Sequence, residues 1–350
     1  MTKSRISRIQ DSLQDEQFFY VTNLINIRYL CGFTGSNGAL LITKTTATLA
    51  TDSRYEVQSS QQCFDADIVI GRNLSELLIK KEQSGEFWFE SNHLSVSQLT
   101  SLTEMFPIHK FVAKTGIVEA HRQVKDQAEL SIIRNACEIS VAAWRMTIDQ
   151  IKVGQSEREI RNNLEQKMRQ LGADDVAFSS IVAAGPNSAI PHHEPTDRKV
   201  ASGDFLKIDF GAKIAGYHAD CTRTVVVGKA ADWQIEIYQA VAAAQAAGRN
   251  ALSAQATFLA VETAVSDTLK NSGHLEFFTH GLGHGVGLEI HETPFFGRGS
   301  SDKIVENTVL TIEPGIYLRD RGGVRIEDTV VVTVENYENL TDLPYELIEI

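Results

Sequence analysis

Short apolar runs alternate with helical stretches over the first third of the chain, and polar or glycine-containing turns separate them. The stretches 75–81 and 97–105 predict helices. Five apolar runs predict β-strands: 18–21, 39–42, 47–50, 68–70 and 87–89. This alternation is typical of a small α/β domain.

A polar connection at 115–127 follows, and we place the domain boundary there, between domains at 1–118 and 124–350. Beyond it, two helices precede a strand-rich section, and this order occurs twice. Ser156 and Glu159 form an S-x-x-E capping box that starts one of the helices. The predicted helices are 126–151, 156–171, 232–252 and 257–272, and the strand-rich sections are 177–227 and 280–334. The repetition predicts an internally duplicated domain with two similar halves.

The first strand-rich section contains a predicted hairpin with two aspartates. An apolar strand, 205–210, leads through a turn near Ala215 to a returning strand, 224–227. If the turn is centred between Ile214 and Ala215, Asp209 lies directly opposite Asp220. Such side chains have Cβ atoms roughly 5 Å apart, and like charges there repel. A positive charge must therefore lie between them, and a metal ion is the simplest one.

A second predicted hairpin, 309–314 with 323–329, repeats this arrangement. Centring its loop on Asp320 places Glu313 opposite Glu327. One facing pair of carboxylates is as well explained by a surface feature as by a site. Two pairs on apolar strands are hard to explain as solvated charge, so they predict a cation site.

Histidines are concentrated between and before these hairpins. The glycine-rich segment 279–292 contains three of the ten in the chain, His280, His284 and His291. Glycines on both sides of His284 would let backbone and ligand approach closely. The segment does not have G-x-G-x-x-G spacing, which excludes a dinucleotide loop. His192 and His193 lie between two prolines further upstream.

Four carboxylates and one imidazole form a hard, oxygen-rich set of ligands. Such a set suits two adjacent divalent ions of the Mn, Co or Zn type better than a structural zinc. Two ions activate water and hold the oxygens of a tetrahedral intermediate, which favours hydrolysis. Asp209-Phe210-Gly211 matches the kinase D-F-G, but no H-R-D loop accompanies it, and neither G-x-S-x-G nor H-E-x-x-H occurs.

Composition narrows the class of protein further. The 350 residues are 43% hydrophobic, enough for a packed core, and their net charge of -12 argues against a nucleic-acid or anionic-membrane partner. The four cysteines are dispersed, which is typical of a reduced, intracellular protein, and we interpret Cys221 as a small buried thiol. No signal-peptide pattern and no run of roughly 20 apolar residues is present. We therefore expect a cytoplasmic protein.

The order of the motifs resembles that of the proline-specific metallopeptidases of the pita-bread fold, the Xaa-Pro aminopeptidases (aminopeptidase P) and Xaa-Pro dipeptidases (prolidases). The resemblance covers about 122–334, and weaker similarity to their N-terminal domain occurs at 29–36 and 51–55. The motifs are Pro191-His192, Asp209-Phe210-Gly211, Asp220-x-Thr222-Arg223-Thr224, Gly283-His284-Gly285, His291-Glu292, Glu313-Pro314-Gly315 and Arg325-Ile326-Glu327-Asp328. It implies a creatinase-like N-terminal α/β domain, a duplicated pita-bread catalytic domain, and a homodimer.

The resemblance also implies a role for each matching residue. Glu313 would be the general base as well as a ligand, and His192 and His291 would position the scissile carbonyl and stabilise its oxyanion. His280 would line the proline pocket, and Arg325 would support Glu327. The metal ligands would be Asp209, Asp220, His284, Glu313 and Glu327. They would hold two divalent ions, Mn²⁺ foremost, with Co²⁺ or Zn²⁺ as alternatives.

The motifs are compatible with two classes of substrate. The leading hypothesis is an Xaa-Pro aminopeptidase acting on the N-terminus of peptides, which the stretches 33–36 and 51–55 favour. Its rival is a dipeptidase restricted to Xaa-Pro, which needs a cation for the substrate's carboxylate. Arg298 could be that cation, or an ordinary exposed loop arginine.

Three further hypotheses about the function are less well supported by the sequence. A methionine aminopeptidase would not be expected to carry so large a preceding domain. Relatives that hydrolyse creatine lack this set of metal ligands. A non-catalytic pita-bread homologue that binds peptides or proteins would typically have lost ligands, and all five are present here.

Overall fold

The computed structural model describes residues 4–297 and 299–350, and these divide after Arg122 into two compact units. The helices of the first unit are α1 Arg5–Ser12, α2 Leu24–Cys31, α3 Glu56–Gln62, α4 Leu74–Ile79, α5 Val96–Met105 and α6 Ile117–Gln123. Its strands are β1 Gln17–Val21, β2 Gly38–Ile42, β3 Ala47–Thr51, β4 Asp67–Ile70, β5 Glu86–Glu90 and β6 Lys110–Lys114.

These six strands form one mixed sheet in the order β4-β3-β2-β1-β5-β6. Strands β1, β2 and β3 are antiparallel neighbours, and the outer pairs are parallel. The five strands predicted from the apolar runs are confirmed. The pattern missed β6, whose two ends are lysines, and the polar connection contains the helix α6.

The second unit contains the remaining helices and strands. Its helices are α7 Gln127–Ile148, α8 Glu157–Gln170, α9 Asp232–Asn250 and α10 Phe258–Asn271. The strands of its first half are β7 Asp175–Val176, β8 Ile181–Ala184, β9 Phe205–Phe210, β10 Ala212–Ile214, β11 Tyr217–His218 and β12 Cys221–Val226. Those of its second half are β13 His284–Gly285, β14 Glu292–Phe295, β15 Val309–Ile312, β16 Gly315–Leu318, β17 Gly322–Arg325, β18 Asp328–Val332 and β19 Tyr337–Asn339. None of the helices described is both long and apolar enough to span a bilayer.

Each half of this unit has its own hydrophobic core. In the first, α7 and α8 pack through Trp144 and Leu164 onto apolar side chains of β8 and β9. In the second, α9 and α10 pack through Val241 and Val265 onto β15 and β18. The helix that follows Ser156 begins with the predicted capping box. The predicted order of a helix pair followed by strands, present twice, is confirmed.

The register of the first hairpin differs from the prediction. Asp209 pairs with Thr222, and beyond a short interruption Lys213 pairs with His218. The turn is therefore Ala215-Gly216, one residue later than predicted, and both residues have left-handed φ, 44° and 78°. The returning strand also begins earlier, at Cys221. Asp220 thus lies two residues from the partner of Asp209 rather than opposite it, and because side chains alternate, the two carboxylates still share one face.

The register of the second hairpin agrees with the prediction. Ile312 pairs with Asp328 and Gly315 with Arg325, so Glu313 is opposite Glu327 where the two ladders are interrupted. An antiparallel bridge between Thr222 and Glu327 joins the two hairpins. This bridge brings the carboxylates of both halves to one place.

Candidate metal centre

Four carboxylates and two imidazoles gather where the two hairpins meet. Their potential ligand atoms lie within 4.8 Å of one another in three overlapping groups. The groups are Asp209 with Asp220 and Glu327, His284 with Glu313 and Glu327, and Asp220 with His284 and His291. All five residues predicted as ligands are therefore brought together, and His291 joins them.

These residues line a cavity of about 210 Å³. His192 and Arg325 also line it, together with three apolar side chains, Phe178, Ile181 and Ile290. The site thus combines a charged floor with an apolar wall, as small-molecule sites usually do.

The strand that carries His284 approaches its neighbour unusually closely. A Cβ on Gly283 would lie 2.1 Å from the carbonyl oxygen of Thr311. Only glycine permits this approach, and it allows the His284 N–H to donate to Thr311 Oγ1 at 3.1 Å. The expectation that glycine lets the backbone approach closely at His284 is confirmed.

His284 is oriented as a metal ligand would be. Its Nδ1 lies 3.1 Å from the carbonyl oxygen of Gly285, which can only accept, so Nδ1 carries the proton. Its Nε2 lone pair then faces Asp220 Oδ2 at 3.6 Å and Glu313 Oε1 at 3.5 Å. Three facing acceptors are compatible only if a bound proton or a cation lies between them.

The carboxylates show the same need. Burial raises the pKa of Asp220 well above its ordinary value, and Glu327, Asp209 and Glu313 raise it further by repulsion. Burial, followed by repulsion from Glu313 and Asp209, likewise raises the pKa of Glu327. Burial also raises the pKa of Glu313 to about 8. Asp209 Oδ1 is buried and has no hydrogen-bond partner among the residues that the structure describes. Divalent ions satisfy all of these groups at once, so the residues present fit the expected metal.

The buried guanidinium of Arg325 forms hydrogen bonds at the edge of the carboxylate cluster. Arg325 Nη2 donates to Asp209 Oδ2 at 2.5 Å, and Nε donates to Thr222 Oγ1 at 3.0 Å. The Thr222 hydroxyl in turn donates to Glu327 Oε2 at 2.6 Å. Arg325 therefore contacts Asp209 directly and reaches Glu327 through Thr222.

His280 lies behind this guanidinium rather than among the side chains that line the cavity. Arg325 Nη1 donates to the Tyr317 hydroxyl at 2.9 Å, and that hydroxyl donates to His280 Nε2 at 2.8 Å. Burial, with a smaller contribution from Arg325, lowers the pKa of His280 to about 4, so its ring is neutral at pH 7. Tyr317 is a contributor that the sequence patterns missed.

The two histidines predicted to position the carbonyl are both at the cavity. The rings of His291 and His284 meet edge to face with centroids 4.3 Å apart. Burial and, secondarily, His192 lower the pKa of His291, which favours its neutral form. Arg298, the predicted cation for a substrate carboxylate, lies outside the described residues.

Metal-free protein is expected to lose stability as the pH rises. A carboxyl whose pKa is raised by folding binds its proton more tightly in the folded state, so stability falls between the unfolded and folded pKa values. For Glu313 this interval runs from 4.5 to about 8. In thermal unfolding with a chelator, the Tm of the wild type should fall more steeply over this interval than that of Glu313→Gln. A divalent ion should raise the wild-type Tm more at the upper end of the interval, because it displaces fewer protons there. Equal slopes for the two proteins would contradict this account.

Comparisons with known proteins agree with this geometry. Residues 131–334 match Metallopeptidase family M24, and residues 5–124 match the Creatinase/Prolidase N-terminal domain. The chain is 31% identical to the Xaa-Pro dipeptidase of Pyrococcus furiosus over 99% of this chain and 100% of that protein. These matches confirm the expected fold class, a creatinase-like domain followed by a pita-bread domain.

Two solved structures are similar over nearly the whole chain. An Xaa-Pro dipeptidase from Bacillus anthracis has 36% identity and a TM-score of 0.94, with 99% of this chain and 98% of that chain covered. An X-Pro aminopeptidase from Thermotoga maritima also has 36% identity, with a TM-score of 0.90 and coverage of 99% and 100%.

Proposed function

This chain belongs to metallopeptidase family M24, and we propose that it is a metal-dependent Xaa-Pro dipeptidase. The observation that carries the proposal is the buried cluster of four carboxylates around the His284 Nε2 lone pair, at the floor of a cavity. We propose that Asp209, Asp220, His284, Glu313 and Glu327 hold two divalent ions, with Mn²⁺ the first to test.

Bound divalent ions would supply an activated water and polarise the scissile carbonyl. The residues of the chain provide the proton transfer. We assign this step to the Glu313 carboxylate, which lines the cavity beside His284 and can take a proton from the attacking water and then return it. The same proton then goes to the proline nitrogen, which leaves as an amine.

Two histidines are placed to act on the carbonyl. His192 and His291 line the cavity beside the carboxylate cluster. A neutral imidazole can donate one N–H to the carbonyl oxygen as negative charge develops there. We propose that both histidines position this oxygen and that His280, held by Tyr317, supports the wall on which proline lies.

Similarity favours a dipeptide substrate over a longer peptide. Xaa-Pro dipeptidases are among the similar proteins in both the sequence and the structure comparison. We therefore place the dipeptidase, the rival in the sequence analysis, ahead of the aminopeptidase.

The aminopeptidase stays the second candidate because of one specific observation. The X-Pro aminopeptidase of Thermotoga maritima is as identical to this chain, at 36%, as the dipeptidase of Bacillus anthracis. The chemistry at the cluster is the same for both substrates. The assignment of Arg298 to the substrate carboxylate, the homodimer and the cytoplasmic location also stay predictions.

Hydrolysis of Ala-Pro should exceed hydrolysis of Ala-Pro-Ala. We expect kcat/KM to be at least ~10-fold higher for the dipeptide, a difference of about 1.4 kcal/mol. The assay follows free alanine by chromatography with Mn²⁺, Co²⁺ and Zn²⁺ added in turn. Ala-Ala is the control for general dipeptidase activity. Faster hydrolysis of the tripeptide would favour the aminopeptidase, and equal hydrolysis of Ala-Ala would refute specificity for proline.

A further inference from the structure

A fully buried lysine holds the backbone immediately before His192. Lys207 lies on β9 and points to the same face as Asp209, since the two are separated by one residue. It is 0% exposed. Its Nζ donates to the carbonyl oxygen of Ile190 at 2.6 Å and to that of Pro191 at 3.2 Å. Both acceptors are main-chain atoms of the two residues that precede His192.

A fully buried carboxylate accepts hydrogen bonds from the side chain of His193 and from the backbone of Thr196, both of which follow His192. Glu157 is the first residue of α8 and is 0% exposed. Its Oε2 accepts from His193 Nε2 at 2.8 Å and from the N–H and hydroxyl of Thr196 at 2.9 and 2.7 Å. Its Oε1 accepts from the N–H of Ala184 at 2.8 Å and from Asn187 Nδ2 at 2.9 Å. One carboxylate therefore ties the residues that follow His192 to Asn187 and to the end of β8.

Burying two ionisable groups costs more free energy than is needed to stabilise a loop. Burying an ammonium or a carboxylate costs several kcal/mol unless its partners are well placed. In the described part of the chain, the hydrogen bonds of Lys207 both go to neutral carbonyls. Those of the Glu157 carboxylate come from Ala184 at the end of β8 and from the connection between β8 and β9. Apolar packing could anchor a loop at lower cost. The two buried ionisable groups instead restrict the direction of the backbone on each side of one exposed imidazole.

We propose that Lys207 and Glu157 are positioning residues that hold the segment 190–196 so that His192 faces the reacting carbonyl. The proposal rests on the function proposed above for His192. A misplacement of about 1 Å can cost on the order of 100-fold in rate. Because His192 acts as charge develops on the oxygen, a displaced His192 should lower kcat and leave KM nearly unchanged.

A double-mutant cycle tests whether Lys207 acts through His192. Lys207→Met should lower kcat for Ala-Pro by ~10–100-fold, with KM within about 3-fold of the wild type. In the His192→Ala background the same substitution should change kcat by less than about 2-fold, because the group that Lys207 positions is already gone. An equal effect of Lys207→Met in both backgrounds, or a change in KM alone, would overturn the proposal.

Lys167 provides a matched control. It is also buried, and its Nζ donates to the carbonyl oxygen of Met146 at 2.7 Å, but it lies on α8 away from the His192 segment. Lys167→Met should therefore lower stability without lowering kcat.

Bound metal in Lys207→Met should equal that of the wild type. A loss of metal would show that the substitution acts through Asp209 and would refute the proposal. If Lys207→Met does not fold, the double-mutant cycle with His192→Ala can be made with Glu157→Gln, which alters the contacts to the residues that follow His192.

An activity-independent measurement separates this proposal from the proposed function. Hydrogen exchange of the amides in 190–196 should be faster in Lys207→Met than in the wild type and unchanged in Lys167→Met. Unchanged exchange in Lys207→Met would refute the positioning role even if the wild type hydrolyses Ala-Pro. A wild type that does not hydrolyse Ala-Pro with any ion would refute the proposed function. Faster hydrogen exchange in Lys207→Met would, even then, support the role of Lys207 in fixing the segment 190–196.

Discussion

Asp220→Ala is expected to abolish Xaa-Pro hydrolysis and metal binding while leaving the fold intact. Asp220 belongs to two of the three groups of potential ligands, with Asp209 and Glu327 on one side and with His284 on the other. Its loss should cost more than the ~10–100-fold that removal of a metal ligand's outer partner typically costs. Metal analysis and the Ala-Pro assay measure both effects.

In metal-free protein, Asp220→Ala is not expected to lower stability. Asp220 is buried, and its pKa is raised well above the ordinary value because burial and three neighbouring carboxylates oppose its charge. Without metal, removal of this carboxylate should leave the Tm unchanged or raise it. Asp197→Ala, at a side chain that is 80% exposed, is the control and should change neither metal content nor Tm. Full activity and metal content in Asp220→Ala would contradict the assignment of the metal centre.

Arg325→Met is expected to be the most destabilising single change near the site. Both members of the Arg325–Asp209 ion pair are buried. Loss of the guanidinium leaves the Asp209 carboxylate buried without its cation, which typically costs about 3–5 kcal/mol. The substitution also removes hydrogen bonds to Tyr317 and to the carbonyl oxygen of Pro191, so activity should fall as well.

The free energy of unfolding, measured in urea with and without a chelator, checks this prediction. The loss should be larger without metal, because Arg325 is then the cation in direct contact with the cluster. Adding Asp209→Asn to Arg325→Met should recover part of the metal-free stability, since it removes the charge left unpaired. Arg134→Met, at an exposed ion pair with Glu338, should cost less than about 1 kcal/mol. Equal losses for Arg325→Met and Arg134→Met would refute the importance of the buried pair.

The two hairpins show how far the register of a site can be predicted from a sequence. In the second hairpin, Asp320 marks the centre of the turn and has a left-handed φ of 59°, so the facing of Glu313 and Glu327 could be predicted. In the first, the turn places an alanine in a left-handed conformation that alanine rarely adopts. The sequence therefore favoured a turn one residue too early. The error did not change the predicted ligands, because a shift of two positions in the pairing keeps side chains on the same face.

The residues that surround the ligands could not be predicted in the same way. Lys207 contacts residues 16 and 17 positions away, and Glu157 contacts His193 36 positions away. These contacts depend on how a loop folds back over a strand and a helix, which no local periodicity records. One signal was available: a lysine inside the apolar run 205–210, on the same face as Asp209, is unusual for a buried strand. Tyr317 gave no comparable signal, because aromatic residues are common in strands.

The measurement that tests the account most directly is Ala-Pro hydrolysis by chelator-treated protein before and after a divalent ion is restored. The buried cluster of carboxylates and His284 predicts that hydrolysis is lost when metal analysis finds the protein empty. It also predicts that adding Mn²⁺, Co²⁺ or Zn²⁺ restores hydrolysis in the wild type but not in Asp220→Ala. Hydrolysis that continues at its full rate in metal-free protein, or that none of the three ions restores, would contradict the account.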